Sequence, residues 1–252
     1  MIPIKSPSEI EKMRRACAAA AEILRGVAAL VEPGRTTKQL NDAAGEMIRQ
    51  RGGKSPFLGY RGYPGHVCVS LNDEVVHGIP GNRKIQYGDI VSLDVGIILG
   101  GYVGDNATTV AVGVLKPRTA ELLRVTEQAL YAGIAQARPG KRVGDISHAI
   151  QATVEAHGFN SVREFVGHGV GRKMHEEPQI PNFGKAGDGP KLKPGMTLAI
   201  EPMINAGTHE VEVLDDGWTV VTADGAPSAH YEHTVLVRDG EAEILTWQKK
   251  MQ

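Results

Sequence analysis

Residues 88–95 read GDIVSLDV, and residues 195–202 read GMTLAIEP. Both stretches begin with a glycine and continue through apolar residues typical of a β-strand. Each carries one carboxylate at the same place, Asp94 in the first and Glu201 in the second. The return of a strand together with its acidic residue indicates that the chain contains an internal duplication.

The helical segments repeat as well. Residues 33–39 (PGRTTKQ) join a Pro-Gly turn to a polar capping signal, and residues 139–145 (PGKRVGD) return to the same phrase with Asp145 as its polar residue. An amphipathic segment follows each phrase, which predicts a helix in both places. Another capping signal, Ser6 with Glu9 three residues later, predicts the start of the first helix.

A second pair of acidic residues completes the repeat. Asp105 and Glu232 each precede a run of β-branched residues, which favours strands. We therefore predict an α+β fold formed by one domain, residues 1–252, with halves of about 1–115 and 116–252. Each half is expected to contribute two helices and carboxylate-bearing strands to an antiparallel sheet, around a pseudo-two-fold axis.

Composition excludes several classes of protein. The 252 residues include 28 basic and 29 acidic side chains, and no basic block indicates a nucleic-acid surface. Two cysteines without metal-ligand spacing argue against a disulfide scaffold or a thiolate zinc site. The first residues contain no long apolar run of the kind found in signal peptides or membrane spans. We expect a cytoplasmic protein without membrane contact.

The carboxylates and one histidine form a candidate metal site. Asp94 alternates with apolar neighbours, so that burial of the charged group would be costly without a cation. Taken alone, such an aspartate is more often an ion-pair partner, but four related carboxylates favour divalent metal. His168 lies between two glycines, which could let its imidazole approach a buried ion or could merely mark a turn. Four carboxylates and one nitrogen suit Mn²⁺, Fe²⁺, Co²⁺ or Zn²⁺.

Two further histidines occur in parallel phrases, His77-Gly78-Ile79-Pro80 and His175-Glu176-Glu177-Pro178. Each could be a surface residue, or a hydrogen-bonding group beside a hydrolytic site. The chain has no phosphate-binding loop of the Walker type, no Gly-x-Ser-x-Gly elbow and no His-Glu-x-x-His helix. The sequence therefore lacks the motifs that would most strongly predict nucleotide binding or serine catalysis.

Together these motifs resemble those of methionine aminopeptidase, type I, over essentially the whole chain. The motifs are SLDVG with Asp94, GYVGDNATT with Asp105, FVGHGVGRKMHEEP with His168 and His175, IEPM with Glu201 and YEHTV with Glu232. The short spacing between the last two resembles the bacterial-style form. The resemblance implies the pita-bread fold shared with prolidase and aminopeptidase P. It also implies removal of initiator methionine from nascent chains with a small second residue.

The resemblance assigns roles to the candidate residues. It implies two divalent ions, one held by Asp94, Asp105 and Glu232 and the other by Asp105, His168, Glu201 and Glu232, with a bridging water as the nucleophile. Glu201 would accept the proton of that water, His175 would bind the substrate carbonyl, and His77 would contact the peptide nitrogen. The methionine pocket would consist of Phe57, Tyr60, Tyr63, Cys68, Met174 and Trp218.

The resemblance also suggests a monovalent cation near Asn72 and Ser228, transient contact with the ribosome, and a monomer. Three alternatives remain at this level. A prolidase or aminopeptidase P would share the fold and cleave before proline, but such enzymes usually carry an additional N-terminal domain. A non-enzymatic binding protein of this fold would have lost metal ligands that this chain retains. A mononuclear or purely structural metal site would keep the same residues.

Overall fold

The computed structural model of the protein describes residues 2–246. The two ends of the expected 1–252 domain, residue 1 and residues 247–252, lie outside the described residues. The chain contains four α-helices, one short 3₁₀ helix at Tyr60–Gly62 and fourteen strands over the described range. That these form one domain stays a prediction.

Three of the four α-helices begin where the capping signals predict. The bounds are α1 Pro7–Ala28, α2 Thr37–Gln50, α3 Pro117–Ile134 and α4 Val143–Glu155. Before α1, the Ser6 backbone N–H donates to Glu9 Oε2 at 3.0 Å, and before α2 the Thr36 N–H donates to Gln39 Oε1 at 2.8 Å. Asp145 performs the same task at α4 by accepting from the Arg142 N–H at 2.7 Å. These bonds satisfy backbone donors that the first helical turn leaves unpaired.

The strands are antiparallel wherever they pair. Instead of one continuous sheet they form four, in the orders β1-β3-β4, β10-β11-β2, β12-β9-β5 and β14-β13-β8-β6-β7. Their bounds are β1 Cys68–Leu71, β2 Glu74–Val76, β3 Ile90–Leu99, β4 Tyr102–Ala111, β5 Asn160–Ser161, β6 Gly167–Gly169, β7 Glu176–Ile180, β8 Thr197–Ile200, β9 Met203–Asn205, β10 Val211–Val213, β11 Val220–Thr222, β12 Ser228–His230, β13 His233–Leu236 and β14 Glu243–Ile244.

The duplication is visible in the topology. The β1-β3-β4 ladder of the first half has its counterpart in the β6-β8-β13 ladder of the second. Each half has its own apolar core, in which α1 and α2 pack against β1 and β3, and α3 and α4 pack against β8 and β9. Val91, Leu93 and Val95 of β3 belong to the first core, so that Asp94 points to the opposite face of the strand. The expected packing of helices on one face of the sheet is confirmed.

The two halves meet along β4 and the start of β13, which we call the seam. The Glu232 backbone N–H donates to the Ala107 carbonyl at 2.9 Å, and the Thr234 hydroxyl donates to the Asp105 carbonyl at 2.8 Å. These bonds join the backbones that carry Asp105 and Glu232. The seam therefore brings one acidic residue from each half to the same place.

The segment before α1 is tied to the second half. The Lys5 N–H donates to the Gly195 carbonyl at 2.8 Å, and Lys5 Nζ lies 2.6 Å from Glu176 Oε2. Both side chains are buried, at 5% and 10% exposure. The other oxygen of Glu176 accepts backbone N–H groups from Arg172 and Lys173, so that the pair fixes the loop that leads to β7.

We predict that Lys5→Met destabilises the protein by about 3 kcal/mol, because the Glu176 carboxylate would stay buried without its cation. This change corresponds to a fall of about 6–12 °C in Tm for a protein of this size. Lys38→Met is the matched control, since its ion pair with Asp42 is exposed on both sides and should contribute less than about 1 kcal/mol. Equal Tm values for the two variants would contradict the prediction.

Candidate metal centre and substrate cavity

A cavity of about 440 Å³ opens between the two halves. Its lining contains every residue that the sequence analysis assigned to metal, catalysis or the methionine pocket. These residues are Phe57, Tyr60, Tyr63, Cys68, His77, Asp94, Asp105, His168, Met174, His175, Glu201, Trp218 and Glu232. The sequence-based hypothesis that they share one site is therefore consistent with the structure.

Four carboxylates lie at the inner end of the cavity. Asp94, Asp105 and Glu232 each present an oxygen within 4.8 Å of the other two. Asp105 and Glu232 are 1% and 2% exposed, while Asp94 and Glu201 are partly covered. One oxygen each of Asp94, Asp105 and Glu232 is buried without a hydrogen-bond partner. Such atoms are expensive to bury unless a cation or a proton reaches them.

His168 adds a nitrogen to this cluster. Its Nε2 lies 3.3 Å from Glu201 Oε1 and 3.8 Å from Asp105 Oδ2. Its Nδ1 lies 2.9 Å from the Gly169 carbonyl, which can only accept, so Nδ1 carries the proton of the neutral ring. The lone pair of Nε2 then faces the carboxylate oxygens. Lone pairs pointing at one another are stable when a metal ion lies between them.

Burial controls the protonation of the cluster in the absence of metal. Burial raises the pKa of Glu201 to about 8 and that of Asp94 to about 7, the latter lowered by His230 and raised further by Glu201. The pKa values of Asp105 and Glu232 are also raised, by burial first and then by the neighbouring carboxylates. No lysine or arginine of residues 2–246 forms an ion pair with any of the four. A set of oxygens and one imidazole fits divalent first-row metals.

The two parallel histidines lie on either side of the cavity. His77 has a φ of +61°, in the left-handed region that residues other than glycine rarely adopt. Its ring is edge-on to Phe165 and Trp218, and burial lowers its pKa to about 4. His175 lies at the exposed rim, with its ring centroid 4.5 Å from that of His168. Both imidazoles are therefore within the reach of a substrate bound in the cavity.

An apolar pocket adjoins the carboxylates. Phe57, Tyr63 and Cys68 are at most 8% exposed and pack with Met174 and Trp218. Cys68 lies directly opposite Asp94 in the β1–β3 ladder, so the pocket begins beside the cluster. Tyr60 is more exposed, at 36%, and its hydroxyl lies 3.2 Å from His175 Nδ1. Tyr60 thus belongs to the rim of the pocket.

The sequence analysis missed several lining residues. His230, Phe165, Val76 and Met203 also line the cavity, and His230 Nε2 lies 3.5 Å from Glu201 Oε2. The signal for His230 was available, because residues two apart on an extended segment face the same side and His230 precedes Glu232 by two. The apolar residues carried no such signal, since nothing in their local pattern distinguishes a cavity wall from a core.

The residues expected near a monovalent cation are adjacent. The Ser228 N–H donates to the Asn72 carbonyl at 2.8 Å, and the Asn72 side chain binds Asp89 and the Ile90 N–H. The Ser228 hydroxyl donates to the Ile204 carbonyl. Because both side chains have protein partners, only further carbonyl lone pairs remain for an ion, and the cation stays a prediction.

Comparison with known proteins identifies the family. A model of metallopeptidase family M24 matches residues 11–239. Methionine aminopeptidase 1 of Bacillus subtilis is 49% identical over 246 residues, covering 98% of this chain and 99% of the relative. The Escherichia coli methionine aminopeptidase is 44% identical, covering 98% of this chain and 95% of the relative. The chain belongs to the methionine aminopeptidases of family M24.

Solved structures agree with this family. The crystal structure of methionine aminopeptidase from Thermotoga maritima has a TM-score of 0.96 and 51% identity, covering 98% of this chain and 100% of that one. Prolidase from Pyrococcus furiosus has a TM-score of 0.80 but only 22% identity, and this chain covers 66% of it. The prolidase likeness shows the shared pita-bread fold alone. Nearly complete coverage of the bacterial relatives agrees with the short type I form.

Membership in a metallopeptidase family implies the use of divalent metal, in agreement with the donor set. Among residues 2–246, the helices are all too short or too polar to cross a bilayer.

We predict that metal-free protein loses stability between pH 6.5 and pH 8.5. The folded protein keeps protons on Asp94 and Glu201 that the unfolded chain has already released, since their folded pKa values are about 7 and 8. Stability from this source is complete below the unfolded pKa values of about 4, falls as the pH rises above them, and is fully lost once the pH exceeds the folded values. His77 and His168, whose pKa values burial lowers from 6.5 to about 4, make an opposite contribution between those two pH values, so the effect of the carboxylates is isolated above pH 6.5.

Thermal unfolding of chelator-treated protein measures the effect. Tm should fall across this range without metal and should be restored by added Mn²⁺ or Co²⁺, which replace the protons. A Tm that stays constant from pH 6.5 to 8.5 after chelation would contradict the prediction.

Proposed function

We propose that this protein is a metal-dependent aminopeptidase that hydrolyses the N-terminal methionine of peptides and nascent chains, with preference for a small second residue. The observation that carries the proposal is the position of the carboxylate-imidazole cluster at the end of an apolar pocket. A pocket that accommodates one side chain directly beside the hydrolytic cluster favours cleavage after the first residue of the substrate.

The cluster offers ligands for two divalent ions. Asp94, Asp105 and Glu232 would hold one ion, and Asp105, His168, Glu201 and Glu232 would hold the other. The candidates are Co²⁺, Mn²⁺, Fe²⁺ and Zn²⁺, and a monovalent cation near Asn72 is a further candidate. When bound, divalent ions supply Lewis-acid activation of water and of the scissile carbonyl.

The side chains of the chain would handle protons and substrate. Glu201 would accept the proton of the attacking water and return it to the leaving amine, a task that an ionised carboxylate beside that water can perform. His175 would hydrogen-bond the substrate carbonyl, with its ring oriented by the Tyr60 hydroxyl at 3.2 Å. His77 would contact the peptide nitrogen from the opposite wall.

The apolar pocket would select the side chain. The thioether of methionine is flexible and polarisable, and it packs well against aromatic rings and sulfur. The rings of Tyr63 and Trp218 pack edge to face with their centroids 5.1 Å apart, and Phe57 and Met174 belong to the same apolar cluster. The free α-amine would lie near Asp94, which favours an N-terminal residue over an internal one.

The cellular setting follows from this activity. Initiator methionine is present on nascent chains, so we propose a cytoplasmic enzyme that meets its substrates near the ribosome. We propose that it acts as a single-domain monomer, since each half already supplies carboxylates to the one cavity.

The first experiment is hydrolysis of Met-Ala-Ser and Ala-Pro peptides by chelator-treated protein, with Mn²⁺, Co²⁺, Fe²⁺ or Zn²⁺ restored in turn. We expect metal-dependent release of free methionine and no cleavage of Ala-Pro. Cleavage before proline would show that the protein has prolidase activity instead. Absence of cleavage with every metal would favour a non-enzymatic binding protein of the same fold.

We also predict that Glu201→Gln and His168→Ala each lower kcat/KM for Met-Ala-Ser by about 10²- to 10⁴-fold, since each removes a group needed to hold metal or to move a proton. Both variants should retain the far-ultraviolet circular dichroism of the parent. Glu155→Gln, at the exposed end of α4, is the control for Glu201→Gln. Full activity in either site variant would remove that residue from the mechanism.

A further inference from the structure

His230 is a buried histidine of the cavity to which the assignments above give no role. It ends β12, pairs with Met203 of β9, and is 2% exposed. It belongs to the second half, whereas Asp94 belongs to the first. Because this buried imidazole lines the cavity, its contacts indicate its role there.

The backbone of His230 is held firmly across the seam. The Thr109 hydroxyl of β4 accepts the His230 N–H at 2.9 Å and donates to the His230 carbonyl at 2.8 Å. The Ser92 hydroxyl of β3 lies 2.8 Å from the Thr109 hydroxyl and completes its bonding. Both polar backbone groups of His230 are therefore satisfied by one side chain of the opposite half, which restricts where the imidazole can point.

The imidazole points at Glu201. His230 Nε2 lies 3.5 Å from Glu201 Oε2 and is buried without a hydrogen-bond partner. The other oxygen, Oε1, lies 3.3 Å from His168 Nε2. The Glu201 carboxylate thus lies between two imidazoles, one for each of its oxygens.

The two imidazoles differ in what they can offer. His168 gives its N–H to the Gly169 carbonyl, so that a lone pair faces Glu201 Oε1. If His230 Nε2 carried a lone pair, Glu201 Oε2 would face an acceptor and could form no hydrogen bond with it. If Nε2 carries the proton, it can donate to Oε2. At 3.5 Å the two atoms lie just beyond ordinary hydrogen-bond length, so the bond requires a small approach of one side chain to the other.

We propose that His230 is a positioning residue that donates its Nε2–H to Glu201 Oε2, leaving Glu201 Oε1 beside His168 for metal and proton transfer. The hydrogen bond selects one orientation of the carboxylate plane. Partners of this kind orient metal ligands, and their loss typically weakens metal binding by about 10- to 100-fold. The inference rests on the proposed place of Glu201 in the metal centre.

Calorimetric titration of metal-free protein with Co²⁺ tests the role without relying on turnover. His230→Ala should weaken binding of the ion held by Glu201 by about 10- to 100-fold. His230→Gln, whose amide can donate over a similar distance, should recover most of the affinity. In peptide hydrolysis, His230→Ala should lower kcat more than it raises KM, because the pocket for the methionine side chain stays intact.

His157→Ala is the control. His157 follows the end of α4, lies outside the cavity lining, and its imidazole contacts the Thr153 carbonyl. Wild-type Co²⁺ affinity in His230→Ala would overturn the role of His230 alone. Equal losses in His230→Ala and His230→Gln would also overturn it, because donation of a hydrogen bond would not explain them. Failure of the wild-type protein to bind Co²⁺ would instead overturn the metal centre itself.

Discussion

The concentration of four carboxylates in one buried place is the constraint on which the rest of the structure depends. Negative groups within a few ångströms repel one another and lose their hydration, and here they lack a lysine or arginine partner among residues 2–246 to offset this. Protons or divalent cations must therefore complete the fold. In the metal-free protein, burial raises the pKa values of Asp94 and Glu201 because it disfavours their charged forms.

The duplicated architecture explains how such a cluster can be assembled. Each half has its own core, and the buried residues of both cores are apolar. The charges lie on the strand faces turned away from those cores, and the seam bonds between β4 and β13 bring the two faces together. Asp94, Asp105 and His168 lie within strands, and Glu201 and Glu232 directly adjoin β8 and β13, so the sheets set the spacing of the ligands, which favours a preorganised site.

The imidazoles show how one residue type serves several tasks in this cavity. His168 offers a lone pair because its other nitrogen is bound to a carbonyl, while His77 is held by a strained backbone among aromatic rings. His175 shares the exposed rim with Tyr60. Burial keeps the pKa values of His77 and His168 at about 4, so that these rings remain neutral at physiological pH. Neutral rings can hydrogen-bond or bind metal without adding charge.

The sequence by itself determined the starts of α1, α2 and α4, the duplication and the identity of five candidate ligands, because capping signals, apolar periodicity and acidic residues in apolar strands are local patterns. Only the tertiary structure decided which side chains share the cavity. The division of the strands into four sheets, the rim position of Tyr60 and the approach of His230 to Glu201 depend on contacts between segments far apart in the chain. Burial and distance arise when the two halves close on one another, and no local pattern encodes them.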